Sequence, residues 1–274
     1  FIDLKELTTP KWYNILSEKT FNEIVENNPN KDTNKTSYSY ITVKQAQALS
    51  ETYENFIKLN DKTLMQEFDA YKNENDSWLD KDSLYEALSI EHGTDYWPNW
   101  KSKTDKNLFN PKSYEEKIEY AKRIDEISKK YKKEIDKYKF IQFVLSKQNA
   151  QTKKYADSKG IKMIADRQVA FSDRDCWAYQ SLFLEGWCLG CPPDYFSKDG
   201  QAWGFPVIDP EKLYNSDGSL GEAGILMKNL FKKMFRENPG GVRIDHIVGL
   251  IDPWVYKSGK KPMPECGAGR LYSS

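Results

Sequence analysis

The sequence predicts an α/β fold with parallel strands, on three observations. Two short apolar runs, Ile161–Ile164 and Val242–Ile244, each lead to an aspartate, Asp166 and Asp245. Each run follows a helical segment, Phe140–Ala156 in the first case and one carrying Leu226, Leu230, Phe231 and Met234 in the second. Glycine punctuates both junctions, at Gly160 and at Pro239-Gly240-Gly241. Helix, strand, long connection, helix, strand is the order of parallel strands joined by crossovers.

The elements read as follows from the N-terminus. Residues 1–110 are hydrophilic, with helical periodicity in pieces: Thr42–Leu59, Asp61–Lys72 and a short helix near Asp82–Leu88. Pro98 ends this region inside the aromatic cluster Tyr96–Trp100, because proline cannot continue a helix. Ser113 and Glu116 form a capping-box pattern that opens the clearest helix, whose apolar face runs from Ile118 to Tyr138 at three- and four-residue steps. Its apolar seam does not keep strict heptads, so a helix on the outside of a globular domain is expected rather than a coiled coil. Ser219 and Glu222 repeat the capping pattern before the helix that feeds the last strand.

That strand is the most informative stretch. Side chains alternate along a strand, so Arg243 and Asp245 share a face while Val242 and Ile244 point the other way into the interior, giving a short buried strand. A guanidinium so close favours an ionised carboxylate. A fixed anionic carboxylate at a strand end suits covalent catalysis at a sugar carbon. A structural ion pair would carry the same residues.

Residues 167–210 are long for a connection and rich in rings, including Phe171, Trp177, Tyr179, Phe183, Trp187 and Trp203. Pro192-Pro193 stiffens the stretch, and Gly200 and Gly204 flank Gln201 and Trp203. Rings beside amides and carboxylates fit a polyhydroxylated ligand; they fit a satellite core under the loop as well.

Composition narrows the classes. The 274 residues carry 41 basic and 41 acidic side chains, so no polyanion-binding surface is expected and nucleic acid is not a partner. No apolar run approaches a membrane span, and no secretory signal opens the chain. With four cysteines, Cys188 and Cys191 form a lone C-x-x-C that lacks a second ligand pair and runs into proline, so free thiols in a reducing cytoplasm are expected rather than a metal or redox site. Without a P-loop or G-x-G-x-x-G, no cofactor is expected. Oligomeric state is not legible here.

The stretches Pro192–Pro206 (PPDYFSKDGQAWGFP) and Gly241–Gly249 (GVRIDHIVG) resemble the 4-alpha-glucanotransferases, or amylomaltases, of the alpha-amylase superfamily. Gly160–Asp166 and Asp175–Ala178 add support, and the Trp97/Trp100 cluster is similar to that family's helical insertion. The resemblance implies a partial (β/α)8 TIM barrel with large helical insertions. Residues 1–139 would be a helical insertion subdomain, and 140–274 part of the catalytic barrel with an active-site loop insertion at 167–210. It further implies a retaining double displacement between an α-glucan or maltooligosaccharide donor and an acceptor. Asp245 would be the nucleophile, Arg243 would orient it, and His246 and Asp166 would bind the same sugar. Asp194, Tyr195, Phe196, Gln201 and Trp203 would belong to the loop covering the site, which would exclude water in favour of a second glucan.

This sequence departs from the family at Arg167–Phe171, where Leu-Pro-Ile-Tyr-Val is usual, and at Ile247–Leu250, where Phe-Arg-Gly-Phe is usual. The alternatives are a hydrolase acting on α-1,4-glucan and a non-catalytic glucan-binding or helical interaction protein. Both termini read as those of an internal fragment, and the family takes its general acid and third carboxylate from later strands. The expectation is therefore that this polypeptide alone is inactive and poorly soluble. Glucose release from maltotriose by the purified 274-residue chain would overturn it.

Overall fold

The computed structural model describes residues 2–272 as two compact units. One gathers the residues up to Glu91 with Glu126–Thr152, and the other His92–Asp125 with the residues from Lys153 onward. The expected boundary at 139/140 falls inside a helix, and 92–125 groups with the later residues.

The first unit is helical. Its elements are α1 (Glu18–Glu26), α2 (Tyr38–Leu59), α3 (Lys62–His92) as far as Glu91, and the parts of α5 (Tyr114–Lys130) and α6 (Lys132–Ser158) between Glu126 and Thr152. Leu49, Tyr53 and Phe56 of α2 meet Phe140, Phe143 and Val144 of α6 in one core. Phe56 and Phe140 stack with ring centroids 4.4 Å apart. The i, i+3, i+4 spacing of these residues puts each set on one helix face.

Two sequence expectations change here. The helices expected at Asp61–Lys72 and Asp82–Leu88 are one 31-residue helix, α3. Residues 73–81 are poor helix formers but include no proline or glycine, and buried Asn75 is satisfied within the helix. Its Nδ2 donates to Tyr71 O at 2.8 Å, and its Oδ1 accepts from Trp78 Nε1 at 3.1 Å. The helix expected to run to Tyr138 instead turns at Tyr131, and α6 absorbs the segment expected at Phe140–Ala156. At its start, Ser113 Oγ accepts the Glu116 N–H at 3.2 Å, whereas the Glu116 carboxylate accepts from Lys112 N, so the capping box is half made.

The second unit holds α4 (Lys103–Lys106), β1 (Ala165–Arg167), α7 (Asp173–Ala178), β2 (Phe183–Cys191), β3 (Gln201–Ile208), α8 (Glu222–Glu237), β4 (Val242–Ile244), α9 (Val248–Ile251), β5 (Trp254–Lys257) and β6 (Gly269–Arg270). β1 and β4 pair in parallel, with Asp166 opposite Arg243. This mixed helix-and-sheet architecture accords with the expected partial (β/α)8 fold, and among the described residues the parallel set has two strands. The other four strands form an antiparallel sheet in the order β3-β2-β5-β6.

Four further expectations are corrected. Ile161–Ile164 is not strand: pairing starts at Ala165, whose N–H donates to Gly241 O at 3.0 Å, and the apolar side chains before it are exposed. The strand bearing Arg243 is not buried: Val242 and Ile244 are half-buried, and among the described residues β4 has one strand neighbour, β1. Residues 167–210, expected as a loop insertion, contain α7, β2 and β3, and Leu189 and Val207 pack with Val255 of β5 in the antiparallel sheet. Ser219 does not cap α8, whose N-cap is Gly221, two residues later; the Ser219 hydroxyl donates to Asp217 Oδ1 instead.

Asp105 joins the 92–125 segment to α7. It is fully buried, accepts from Arg123 Nε at 2.8 Å and Nη2 at 3.0 Å, and lies 2.9 Å from His92 Nε2. Its carbonyl accepts from Trp177 Nε1 at 2.8 Å, and Trp177 meets Trp100 edge-on, which in turn stacks on His92. Burial opposes the charge on Asp105, but the hydrogen bonds from Arg123 and His92 outweigh it and hold the carboxyl below its ordinary value of 3.8. This stabilisation is present above the unfolded value and is lost as pH falls through the lower folded one. Asp105→Asn is expected to cost about 3 kcal/mol, read by urea unfolding followed through tryptophan fluorescence. The deficit should shrink as the pH is brought below about 4.

Candidate active site

The site begins with the register of the parallel pair. Asp166 and Arg243 are direct partners across β1 and β4, and Asp245 follows β4 with its N–H donating to Arg167 O at 2.9 Å. Arg243 therefore stands between two carboxylates. Its Nη1 donates to Asp166 Oδ1 at 2.8 Å and Oδ2 at 2.6 Å, and its Nη2 donates to Asp245 Oδ1 at 2.6 Å. Both Asp166 oxygens are engaged, whereas Asp245 keeps Oδ2 outside the ion pair. Asp166 first, then Asp245, holds the Arg243 guanidinium above its usual pKa, so it stays charged.

All three side chains are reachable from solvent, at 59 % exposure for Arg243, 52 % for Asp166 and 49 % for Asp245. A sealed structural ion pair would look different. The half-open arrangement lets a ligand approach a carboxylate whose orientation is already set.

His246 follows at once with φ +52°, a left-handed backbone uncommon for a non-glycine residue. Its carbonyl accepts the Gly249 N–H at 2.8 Å, which leads the chain into α9. Its imidazole lies edge-on to Trp203, with centroids 5.1 Å apart and planes at 78°. Trp203 Nε1 donates to Gln201 Oε1 at 3.2 Å, so Gln201, Trp203 and His246 form a second group beside the carboxylates.

The remaining candidates are arranged differently. Asp194 Oδ1 accepts the N–H groups of Phe196 at 2.8 Å and Ser197 at 2.7 Å, so this oxygen organises its own turn. Tyr195 and Phe196 meet edge-on at 5.3 Å and stand 93 % and 90 % exposed, so the structure does not pack them over the carboxylates. The sequence reading passed over β5, whose Tyr256 hydroxyl accepts the Gly204 N–H at 3.0 Å next to Trp203. The alternation of Trp254–Lys257 is too short to announce a strand.

Among the described residues, no group of three or more His, Cys, Asp or Glu side chains is placed to hold a metal ion, and no helix is long and apolar enough to cross a membrane. The four cysteines are free thiols.

Fold and site thus define an α/β protein that presents two arginine-bridged carboxylates at the end of a parallel strand pair. The chain belongs to the 4-alpha-glucanotransferase family, which it matches over residues 1–266. It is 27 % identical over 265 residues to a 4-alpha-glucanotransferase of Clostridium butyricum, covering 90 % of this chain and 48 % of that protein. It is 28 % identical over 232 residues to one of Aquifex aeolicus, covering 82 % and 42 %. The amylomaltase of Streptococcus agalactiae, solved with acarbose, shares the fold at a TM-score of 0.77 and 19 % identity, covering 98 % of this chain and 50 % of that one. The chain spans about half the length of the relatives it matches.

Arg243→Met removes the bridge without emptying a core. The urea midpoint is expected to move little, because the ion pairs are exposed, while any ligand binding that depends on the paired carboxylates is lost. Comparing urea denaturation with calorimetric titration of a ligand would separate the two effects.

Proposed function

We propose that the whole protein is a 4-alpha-glucanotransferase acting on α-1,4-glucans by a retaining double displacement, with Asp245 as nucleophile. The observation that carries this reading is the unequal holding of the two aspartates by Arg243. Asp245 Oδ2 lies outside the ion pair and is the atom that attacks the anomeric carbon. The glycosidic C–O bond breaks, and the leaving oxygen takes a proton from a second carboxylic acid about 5 Å away. An acceptor hydroxyl then displaces Asp245 and returns its proton to that group.

Asp166 does not suit the acid role, because Arg243 donates to both of its oxygens and leaves neither turned toward a leaving group. Its proposed task is to receive sugar hydroxyls, and the acid comes from another part of the whole protein. His246 contacts the sugar from its left-handed position, and Gln201 and Trp203 contribute an amide and a ring face. Asp194 shapes the turn that presents Tyr195 and Phe196, and these exposed rings close over bound glucan as a lid. In this reading the helical unit is an insertion and the unit carrying the parallel pair is part of the catalytic body. The free thiols support a cytoplasmic setting.

The test uses the complete protein with maltotriose. Transfer accumulates glucose together with maltooligosaccharides longer than the substrate, whereas hydrolysis only shortens chains and a binding module leaves maltotriose intact. Asp245→Asn is expected to lower kcat by on the order of 10³-fold or more, with retained binding by calorimetry. Undiminished turnover in that variant rules out Asp245 as the nucleophile.

A further inference from the structure

β3 carries a local irregularity beside the site. Leu189 of β2 faces Phe205, yet the next residue, Gly190, faces Ala202. Trp203 and Gly204 are therefore extra residues in β3, a bulge, and Gly204 adopts φ +75°. A bulge redirects the side chain it carries and leaves backbone groups without a ladder partner. Here the redirected side chain is Trp203, whose indole meets His246 at 5.1 Å.

The bulge is held from the far side of the sheet. The Gly204 N–H donates to the Tyr256 hydroxyl at 3.0 Å, although Tyr256 belongs to β5 and β2 lies between the two strands. The phenol can reach across because position 190 is glycine. A Cβ at Gly190 would meet Tyr256 Cδ1 at 3.0 Å and Gln201 O at 2.6 Å. Tyr256 is itself buried. Burial, with Cys188 alongside, pushes its phenol above the usual range, so it stays a neutral hydroxyl able to accept this bond.

We infer that Tyr256 is a positioning residue: through Gly204 and the β3 bulge it fixes Trp203, and Trp203 fixes the imidazole of His246 next to the nucleophile. The antiparallel sheet thereby sets the geometry of a residue that the parallel pair alone leaves exposed. This inference rests on the Asp245 reading for its catalytic consequence but not for its structural content.

Tyr256→Phe removes only the hydroxyl. In the complete protein it is expected to speed hydrogen exchange at the Gly204 amide. It should also move the His246 ring-proton resonances toward those of a free histidine as the indole ring current is lost. His92, stacked on Trp100, is an internal control whose signals should not move. With maltotriose, kcat should fall about tenfold while KM stays within about twofold.

Trp203→Leu should shift His246 in the same direction, and Trp203→Phe should restore part of the shift; this pair decides the matter if Tyr256→Phe fails to fold. A lower melting temperature with unchanged His246 resonances would overturn the inference, as would a Trp203→Leu protein whose His246 signals match the parent. If the complete protein shows no transfer at all, the glucanotransferase reading fails while the spectral comparison still decides this one.

Discussion

Two carboxylates can lie at the end of one short parallel pair because a guanidinium stands between them. Without Arg243, Asp166 and Asp245 would repel each other across β1 and β4, and neither would have a fixed orientation. The register that sets Asp166 opposite Arg243 is therefore the constraint on which the rest of the site depends. A slip of one residue would turn Arg243 to the other face and separate the three charges. Gly240 helps to fix that register, since a Cβ there would press on the Met163 carbonyl just before β1.

The second constraint is the glycine-dependent crossing in the antiparallel sheet. Gly190 gives up a side chain so that the Tyr256 ring can pass, and the hydroxyl it delivers satisfies an amide that the bulge has removed from the ladder. Left-handed backbone at Gly204 and at His246 brackets the Trp203–His246 contact from both sides. At Gly204 the conformation carries no steric penalty, whereas His246 adopts it in spite of its Cβ. Non-glycine residues in such conformations cluster where a side chain must be aimed.

The sequence disclosed β4 because Pro239-Gly240-Gly241 stops α8 abruptly and the alternation that follows is short and clean. It disclosed Asp166 and Arg243 as residues of interest. It could not reveal that they are partners, because pairing across 77 positions depends on register rather than on local pattern. The antiparallel sheet escaped notice for a related reason: the bulge at Trp203 breaks the period-two signal in β3, and β2's other neighbour lies more than sixty residues away. Helix α3 was read as pieces because Asn and Asp mark loops on average, while here Asn75 is satisfied inside the helix. The Asp105 cluster left no trace at all, since its partners come from His92, Arg123 and α7. Family likeness supplied roles for Asp194, Tyr195 and Phe196 that spacing could not, and the turn held by Asp194 is visible only in three dimensions.

The openness of the Arg243 trio bears on how dissolved ions act on the protein. Its contacts lie near 2.6 Å, well inside the Debye length of about 8 Å at physiological ionic strength, so salt weakens them without dissolving them. An uncharged ligand is not drawn in by the field of these groups, so its rate of encounter does not depend on electrolyte. Ionic strength can reach the chemistry at this site only after the ligand has arrived, through the stiffness with which the two aspartates are held.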